Sequence, residues 1–384
     1  MSYAQAACFG WIIFGSGPAL NFLRDDLNLS RALTSAHTLG MSLGGIIAGL
    51  IAPSLIKKYG RGLLLRWASV VLAFGIALFC LGHSVPVTLL GVTVSFLGGV
   101  TIVQSTAAFL SHHHKHLAPA AISELHGVAA GVGLLSPVVI GICVTLGFGW
   151  RIGLAVSVGA IVVVEITRGK NLSAYGSAYE PLESESHHDV AGALPRLFWW
   201  ACIAMICTSG VEYAVLLWSS DYLRTDGGFA KGASAIALGC VVGAMAIGRL
   251  MGSVLTKRFS AEKLYLGSLA LAFFGFLSFW SCSTQYALII SLTITGFGLS
   301  LHFPFGIERA IYVSEGRADR ATTRIAIATA LSSGVAPFTI GLLADNIGVK
   351  SALLVVPALL LVALFVVIKY PATRKPAQIQ AEII

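Results

Sequence analysis

One carboxylic acid, Glu212, interrupts the apolar run 197–218. An ionised side chain at the centre of a hydrocarbon layer costs about 2.5–3.5 kcal/mol by insertion measures, so a carboxyl kept at such a position is expected to face a water-filled cavity. There it can bind and release protons, hold an ion or meet a solute. The alternative is a structural carboxyl hydrogen-bonded between helices. Two further ionisable groups lie in apolar surroundings: Arg249, toward the end of the stretch 232–256, and Glu124, near the start of 119–147. Reckoned at 1.5 Å per helical residue, Glu212 lies roughly 22 Å from the near end of its run. Arg249 and Glu124 lie only about 7 and 5 residues from the same side, so their depths differ by a few ångströms. On that reckoning Glu212 is too far along its run to be the obvious partner of Arg249. His126 follows Glu124 by two positions, which places the two on nearly opposite helix faces; it titrates near neutrality and is either a proton relay or a packed, hydrogen-bonded group. Trp11 and Trp218 offer aromatic faces to a ring or a sugar, or simply pack between helices.

Residues at such positions need a bilayer around them. The chain has 384 residues, 56% hydrophobic and 11% charged, where soluble domains carry about 25% charge. A bilayer span takes about 20 apolar residues, and the periodic polar breaks divide the chain into twelve: 3–23, 33–56, 62–83, 85–110, 119–147, 150–167, 197–222, 232–256, 262–281, 285–310, 321–344 and 350–370. The fold class is therefore an all-α membrane protein. The first span lacks a basic leader and a small-residue cleavage site and is expected to be retained.

The formal net charge of +8 is a matter of topology and not of nucleic acid. With the N-terminus inside, most of the Lys and Arg residues fall on one side, among them Lys57, Lys58, Arg61, Arg66, Arg168, Lys257, Arg258 and Arg320. Only Arg24, Arg31, Arg151, Arg224, Lys231 and Lys350 fall on the other. That asymmetry is the positive-inside pattern and puts both termini in the cytoplasm of a bacterial-type inner membrane. The seven cysteines sit in or beside apolar stretches without metal-type spacing and are read as free thiols. The run His112, His113, His114, His116 is read as a solvated loop with no metal, and Glu165 and Glu308, beside Arg168 and Arg309, as interfacial charges. No G-x-x-x-x-G-K-[ST] motif provides for nucleotide binding, and no cofactor is expected.

The polar stretch 168–196, with Glu180, Glu183, Glu185, His187, His188 and Asp189, is expected to be a cytoplasmic linker. It separates an N-terminal six-helix bundle, 1–167, from a C-terminal bundle with a short tail, 197–384. The bundles echo one another: Ser136 to Gly141 (S-P-V-V-I-G) falls on Ala336 to Gly341 (A-P-F-T-I-G), Leu55 and Lys57 fall on Leu255 and Lys257, and Gly98 falls on Gly298, all at one offset. Parallel repeats of this kind are a transporter signature. The small-residue series Gly40, Gly44, Gly45, Gly49 and Gly239, Gly243, Gly248, Gly252 allow close helix approach.

The basic loops Leu55 to Arg61 (L-I-K-K-Y-G-R) and Leu255 to Ser260 (L-T-K-R-F-S) resemble the loop signature G-x-L-a-D-R-x-G-R of the major facilitator superfamily. Pro53 and Ser253 replace its first Gly, and Lys57 and Lys257 replace its Asp. The segment Gly341 to Gly348 (G-L-L-A-D-N-I-G) resembles it more closely but falls on the outer side. Gly210-Val211-Glu212-Tyr213 with Trp218 and Tyr222-Leu223, Gly248-Arg249-Leu250, and Ser123-Glu124-Leu125-His126-Gly127 are similar to the branch containing fucose and glucose permease-like proteins. The resemblance implies two bundles of six spans, the major facilitator fold, rocking about a central site. It implies that Gln104 and His302, near Pro304, lie on cavity-lining helices, where Gln104 can hydrogen-bond a hydroxylated solute or a neighbouring helix. It also implies that spans five and eight meet, so that Glu124 and Arg249, with His126 beside them, form a gate pair when the cytoplasmic side closes; local helix-end contacts are the alternative. The functional expectation is a monomeric secondary transporter for a small organic solute, coupled to protons at Glu212 and working by alternating access. A proton-driven exporter of a metabolite or drug, and a non-transporting membrane sensor, are the competing readings. An enzyme is not expected.

Overall fold

The computed structural model of the chain describes residues 2–114, 118–169, 192–256 and 258–372. Among them, helices α1 (Ser2–Leu27), α2 (Arg31–Tyr59), α3 (Arg61–Leu81), α4 (Val85–His114), α5 (Ala118–Gly133), α6 (Leu135–Thr145) and α7 (Trp150–Arg168) build the first bundle. Helices α8 (Arg196–Thr225), α9 (Lys231–Leu255), α10 (Ala261–Ser281), α11 (Gln285–Leu299), α12 (His302–Tyr312), α13 (Ala318–Ile347), α14 (Val349–Ala352) and α15 (Val355–Lys369) build the second. They make up 12 helical stretches long and apolar enough to cross a membrane, each coinciding with one expected span. Most of the expected linker, 170–191, lies outside the described residues.

Three spans are broken in two, and each break has a proline just after it. Pro137, Pro304 and Pro357 have no N–H to donate to the carbonyls of Gly133, Ser300 and Leu353, four residues earlier, so the helix restarts at α6, α12 and α15. Helix ends follow ordinary backbone chemistry. Ser30 caps α2 by accepting from the Leu33 N–H at 3.1 Å, and Gly60 at φ 79° turns the chain out of α2, a left-handed conformation open to glycine. The polar run at 112–116 was expected to be a loop, yet α4 continues through His114. The His113 ring stacks on Phe109 one turn earlier, with centroids 5.6 Å apart. Lys115 and His116 lie outside the described residues.

Within each bundle the repeat is visible as glycine contacts. A methyl group at Gly98 would stand 2.5 Å from the Leu72 amide nitrogen of α3, and Gly298 meets Ala272 of α10 in the same way. Gly75 against Ser95 and Gly275 against Thr295 repeat the pattern. In lipid, where apolar surface gives no net drive for helix association, such backbone approach supplies the packing.

Each bundle is also tied within itself by buried charge at the end where α1 begins. Glu165 of α7 accepts from Gln5 of α1 at 2.8 Å and pairs with Arg168 at 3.3 Å and Arg66 of α3 at 3.5 Å. Arg168 reaches the Gly62 carbonyl and Arg66 that of Gly169. In the second bundle Arg309 holds Glu262 of α10 and the Tyr370 carbonyl. Glu165, beside Arg168, was expected to be simply an interfacial charge. It is also a tie between helices, because an arginine entering the bundle must meet a carboxylate and carbonyls once water is left behind.

Gly98→Leu should force α3 and α4 apart and destabilise the fold by about 1–3 kcal/mol, the usual cost of overpacking. Gly159→Ala, on a helix face with nothing within 4 Å, should be neutral or slightly stabilising. Thermal unfolding midpoints of the two purified variants measure the difference.

Candidate functional site

The bundles stand apart over the half of the molecule where α1 begins and enclose a cavity of about 640 Å³. Phe9 and Phe14 of α1, Met41 and Ile46 of α2, Phe96 and Gln104 of α4 and His126 of α5 form one wall. Glu212 and Tyr213 of α8, Arg249 of α9, Phe303 of α12 and Thr329 and Ser333 of α13 form the other. Both bundles therefore contribute to one chamber, apolar over most of its wall.

Local packing aims its two charged groups. Gly210 lets α8 approach α13, where an added methyl would stand 2.8 Å from the Ala336 Cβ. Two residues on, at about 100° each, Glu212 is turned to the other face. Gly248 seats α9 against Ser300, and the next residue, Arg249, projects toward the chamber. The Arg249 Nη2 and Glu212 Oε1 are 3.6 Å apart, with 24% and 14% of the respective side chains exposed. The depth count along the sequence did not make Glu212 the obvious partner of Arg249. It counted depth from the ends facing the cavity mouth, which are not level because α8 has 30 residues and α9 only 25. Counted from the turn that joins the helices, the two residues differ by about five positions, roughly 7 Å at 1.5 Å each, which a guanidinium side chain spans.

Gln104, His126, Arg249 and Glu212 thus share the cavity. Glu124 does not line it; it accepts from the Tyr3 hydroxyl at 3.1 Å. A Glu124–Arg249 pair is absent from this conformation, in which the near end stands open. Three candidates for solute contact are elsewhere. Trp11 is 8% exposed and donates to the Gly153 carbonyl at 3.2 Å. Trp218 is fully buried and donates to the Pro337 carbonyl at 2.9 Å. In both, the indole N–H serves a carbonyl inside its own bundle, the ordinary fate of a tryptophan with a single donor and a large apolar body. His302 is buried at 1% exposure with its ring 6.3 Å from that of Tyr265. It opens α12 facing the bundle interior, and its neighbour Phe303 takes the cavity wall.

The opposite half is shut by contacts between bundles. An added methyl at Gly141 of α6 would stand 2.5 Å from the Gly232 carbonyl of α9, and Gly341 of α13 packs likewise on Ser35 of α2. Spans five and eight do meet. Thr38 donates to the Gly334 carbonyl at 2.9 Å, and Asn21 reaches the Leu217 carbonyl and the Ser220 hydroxyl at 3.0 and 2.8 Å. Beyond these, Asp221, with no side-chain surface exposed, accepts from Arg24 at 2.6 and 2.8 Å and from Arg31 at 2.9 Å. Asp25 accepts from Arg224 at 2.5 and 2.9 Å and pairs with Lys231 at 3.1 Å. Asp345 takes the first two N–H groups of α2, at Arg31 and Ala32, at 2.8 and 2.9 Å, where a carboxylate suits a helix N-terminus.

This clasp was missed because its residues were read only as flanking charges. The repeat offset could have found it: Arg24 corresponds to Arg224, and each has an acid near it on its own span, Asp25 in one and Asp221 in the other, so an arginine and a carboxylate lie at equivalent ends of spans one and seven.

Residues 200–383 match a family model described as the Major Facilitator Superfamily. Over 340 residues the chain is 22% identical to an uncharacterised MFS-type transporter of Yersinia pestis, covering 85% of this chain and 84% of that relative. A bacterial homologue of the human lysosomal transporter Spinster, solved inward-facing and occupied, is similar with a TM-score of 0.76 at 12% identity, over 98% of this chain and 97% of that one. The transporter FucP in its outward conformation is similar with a TM-score of 0.63 at 15% identity, over 98% and 100% of the two chains.

Asp221→Asn leaves the buried Arg24 and the partly exposed Arg31 without their shared counter-charge, a defect worth about 3–5 kcal/mol where a buried pair is broken. It should shift the population toward opening of the clasped end. Asp25→Asn should do so less, since 25% of that side chain is exposed. A cysteine at Leu217, in a background with the native cysteines replaced, should react with an impermeant maleimide at least tenfold faster in Asp221→Asn.

Proposed function

We propose that this major facilitator superfamily protein is a secondary active transporter that moves a small organic solute by alternating access, coupled to protons at Glu212. The observation that carries the reading is a single chamber walled by both bundles, open at one end and clasped at the other, with an ionisable pair in its wall. Rocking about the glycine seams at Gly141–Gly232 and Gly341–Ser35 would open the clasped end and close the other. The open end carries most of the lysines and arginines, which supports reading it as the cytoplasmic one. On that reading both termini lie in the cytoplasm, the membrane is a bacterial inner membrane and the conformation described is inward-open. The chamber lies within one chain, so a monomer suffices.

Glu212 is the coupling group because it is the carboxyl in the cavity wall whose counter-charge, Arg249, belongs to the same bundle. Its protonation alters the charge of the chamber without touching the clasp, and so biases the exchange between the two states. Gln104, Tyr213 and His126 offer polar contacts to the solute, and Phe9, Phe14, Phe96 and Phe303 its apolar surroundings. When the open end closes, Glu124 and Arg249 become candidates to meet as a gate pair.

In proteoliposomes, a pH gradient should drive solute accumulation by the native chain. Glu212→Gln should reduce accumulation to the equilibrium level while leaving solute exchange within a few-fold of native. Undiminished pH-driven accumulation by Glu212→Gln would refute the assignment.

A further inference from the structure

The Glu212–Arg249 pair is held differently from the arginine–carboxylate pairs of the clasp. The clasp pairs are hydrogen-bonded at 2.5–2.9 Å, whereas Arg249 and Glu212 stand 3.6 Å apart. Among the described residues no hydrogen bond is made by either side chain. A guanidinium has five N–H donors in a planar fork suited to a carboxylate, and those of Arg249 face a chamber whose wall is apolar over most of its area, with Phe9, Phe14, Phe96 and Phe303 among its residues. A fork left unfilled in apolar surroundings, beside a carboxylate that only approaches it, describes a binding site occupied by a stand-in.

We propose that the cargo is an organic carboxylate with a largely apolar body, which takes Arg249 from Glu212 while Glu212 takes up one proton. This rests on the transporter reading and names the substrate class of the same chamber. Charge balance gives the coupling rule. Empty, the chamber holds one positive and one negative group. Loaded, it holds the guanidinium, the cargo anion and a neutral carboxylic acid, and again carries no net charge. Anion alone leaves one uncompensated negative charge, and proton alone leaves one positive charge. Moving either through the occluded stage takes an unpaired charge into low dielectric, which is costly. The bundles therefore exchange when empty or doubly loaded, and transport is electroneutral proton–carboxylate symport. The other titratable groups facing the pair are Tyr213 on the same helix and His126 on α5. α4, α12 and α13 present Gln104, Phe303 and hydroxyl side chains to the chamber. His126 is the competitor for the proton.

Benzoate and benzamide, alike in shape and different in charge, are the probes, titrated calorimetrically into the purified full chain at pH 7.5 and 5.5. Variants are first checked for a native size-exclusion profile. Native protein should bind benzoate at least tenfold tighter at the lower pH, with one proton taken up per benzoate as read from two buffers of different ionisation enthalpy. Glu212→Gln and Glu212→Ala should bind benzoate at least tenfold tighter than native at pH 7.5, with no proton uptake. Arg249→Gln should lose benzoate binding, and benzamide should bind none of them comparably. The proposal is overturned if benzoate fails to bind both Glu212 variants, if Arg249→Gln binds it equally, or if benzamide matches it. It is equally overturned if proton uptake vanishes in His126→Gln and persists in Glu212→Gln. Should benzoate fail while Glu212→Gln still loses pH-driven accumulation, the carboxylate cargo falls and the proton-coupled transporter stands.

Discussion

A carboxylate with no exposed side-chain surface, Asp221, holds two arginines of the opposite bundle, and the shape of the molecule depends on it. Lipid gives two apolar bundles no net reason to adhere, so their closure at one end rests on close backbone approach and on charges that must find partners once dehydrated. Such charges attract at short range and are readily rehydrated when parted, which makes the clasp strong when closed and reversible when opened. The chamber at the other end is its geometric counterpart: bundles drawn together on one side of the Gly141–Gly232 contact stand apart on the other.

Two arginine–carboxylate pairs in one chain thus have unlike properties. Arg24–Asp221 is bidentate and sealed from solvent; Arg249–Glu212 is loose and partly wet. The first has its desolvation offset by full hydrogen bonding, whereas the second leaves donors available to something else. Distance and hydration, more than residue type, separate a structural bond from a site where a ligand can compete.

Much of the architecture was legible from the residues. The polar breaks marked every span because the bilayer leaves little choice about what can cross it, and Gly98 and Gly298 marked the repeat because both sit where only a hydrogen fits against the neighbouring backbone. Glu212 and Arg249 stood out for the cost of being where they are. Their partnership did not, since it depends on which helix ends are level, and a one-dimensional count cannot see that. Trp11, Trp218 and His302 show the same limit in another form. Residue type says that an indole or imidazole wants a polar partner, but only the helix rotation decides whether that partner is a solute or a carbonyl such as Gly153 or Pro337. The clasp was hidden because flanking charges look alike until the two bundles are brought face to face.

The charge ties inside each bundle, Glu165 with Arg66 and Arg168 in one and Arg309 with Glu262 in the other, lie at the end farthest from the clasp. They tie the helix tips of each bundle together, so that in the rocking proposed above each bundle would turn as a lever and not as a sheaf of reeds. A lever cannot yield at its tip while its root is still fastened. Were the bundles to rock as proposed, stiffness alone would guard the passage against standing ajar at both ends, and softening one of these ties would be a route to a leak.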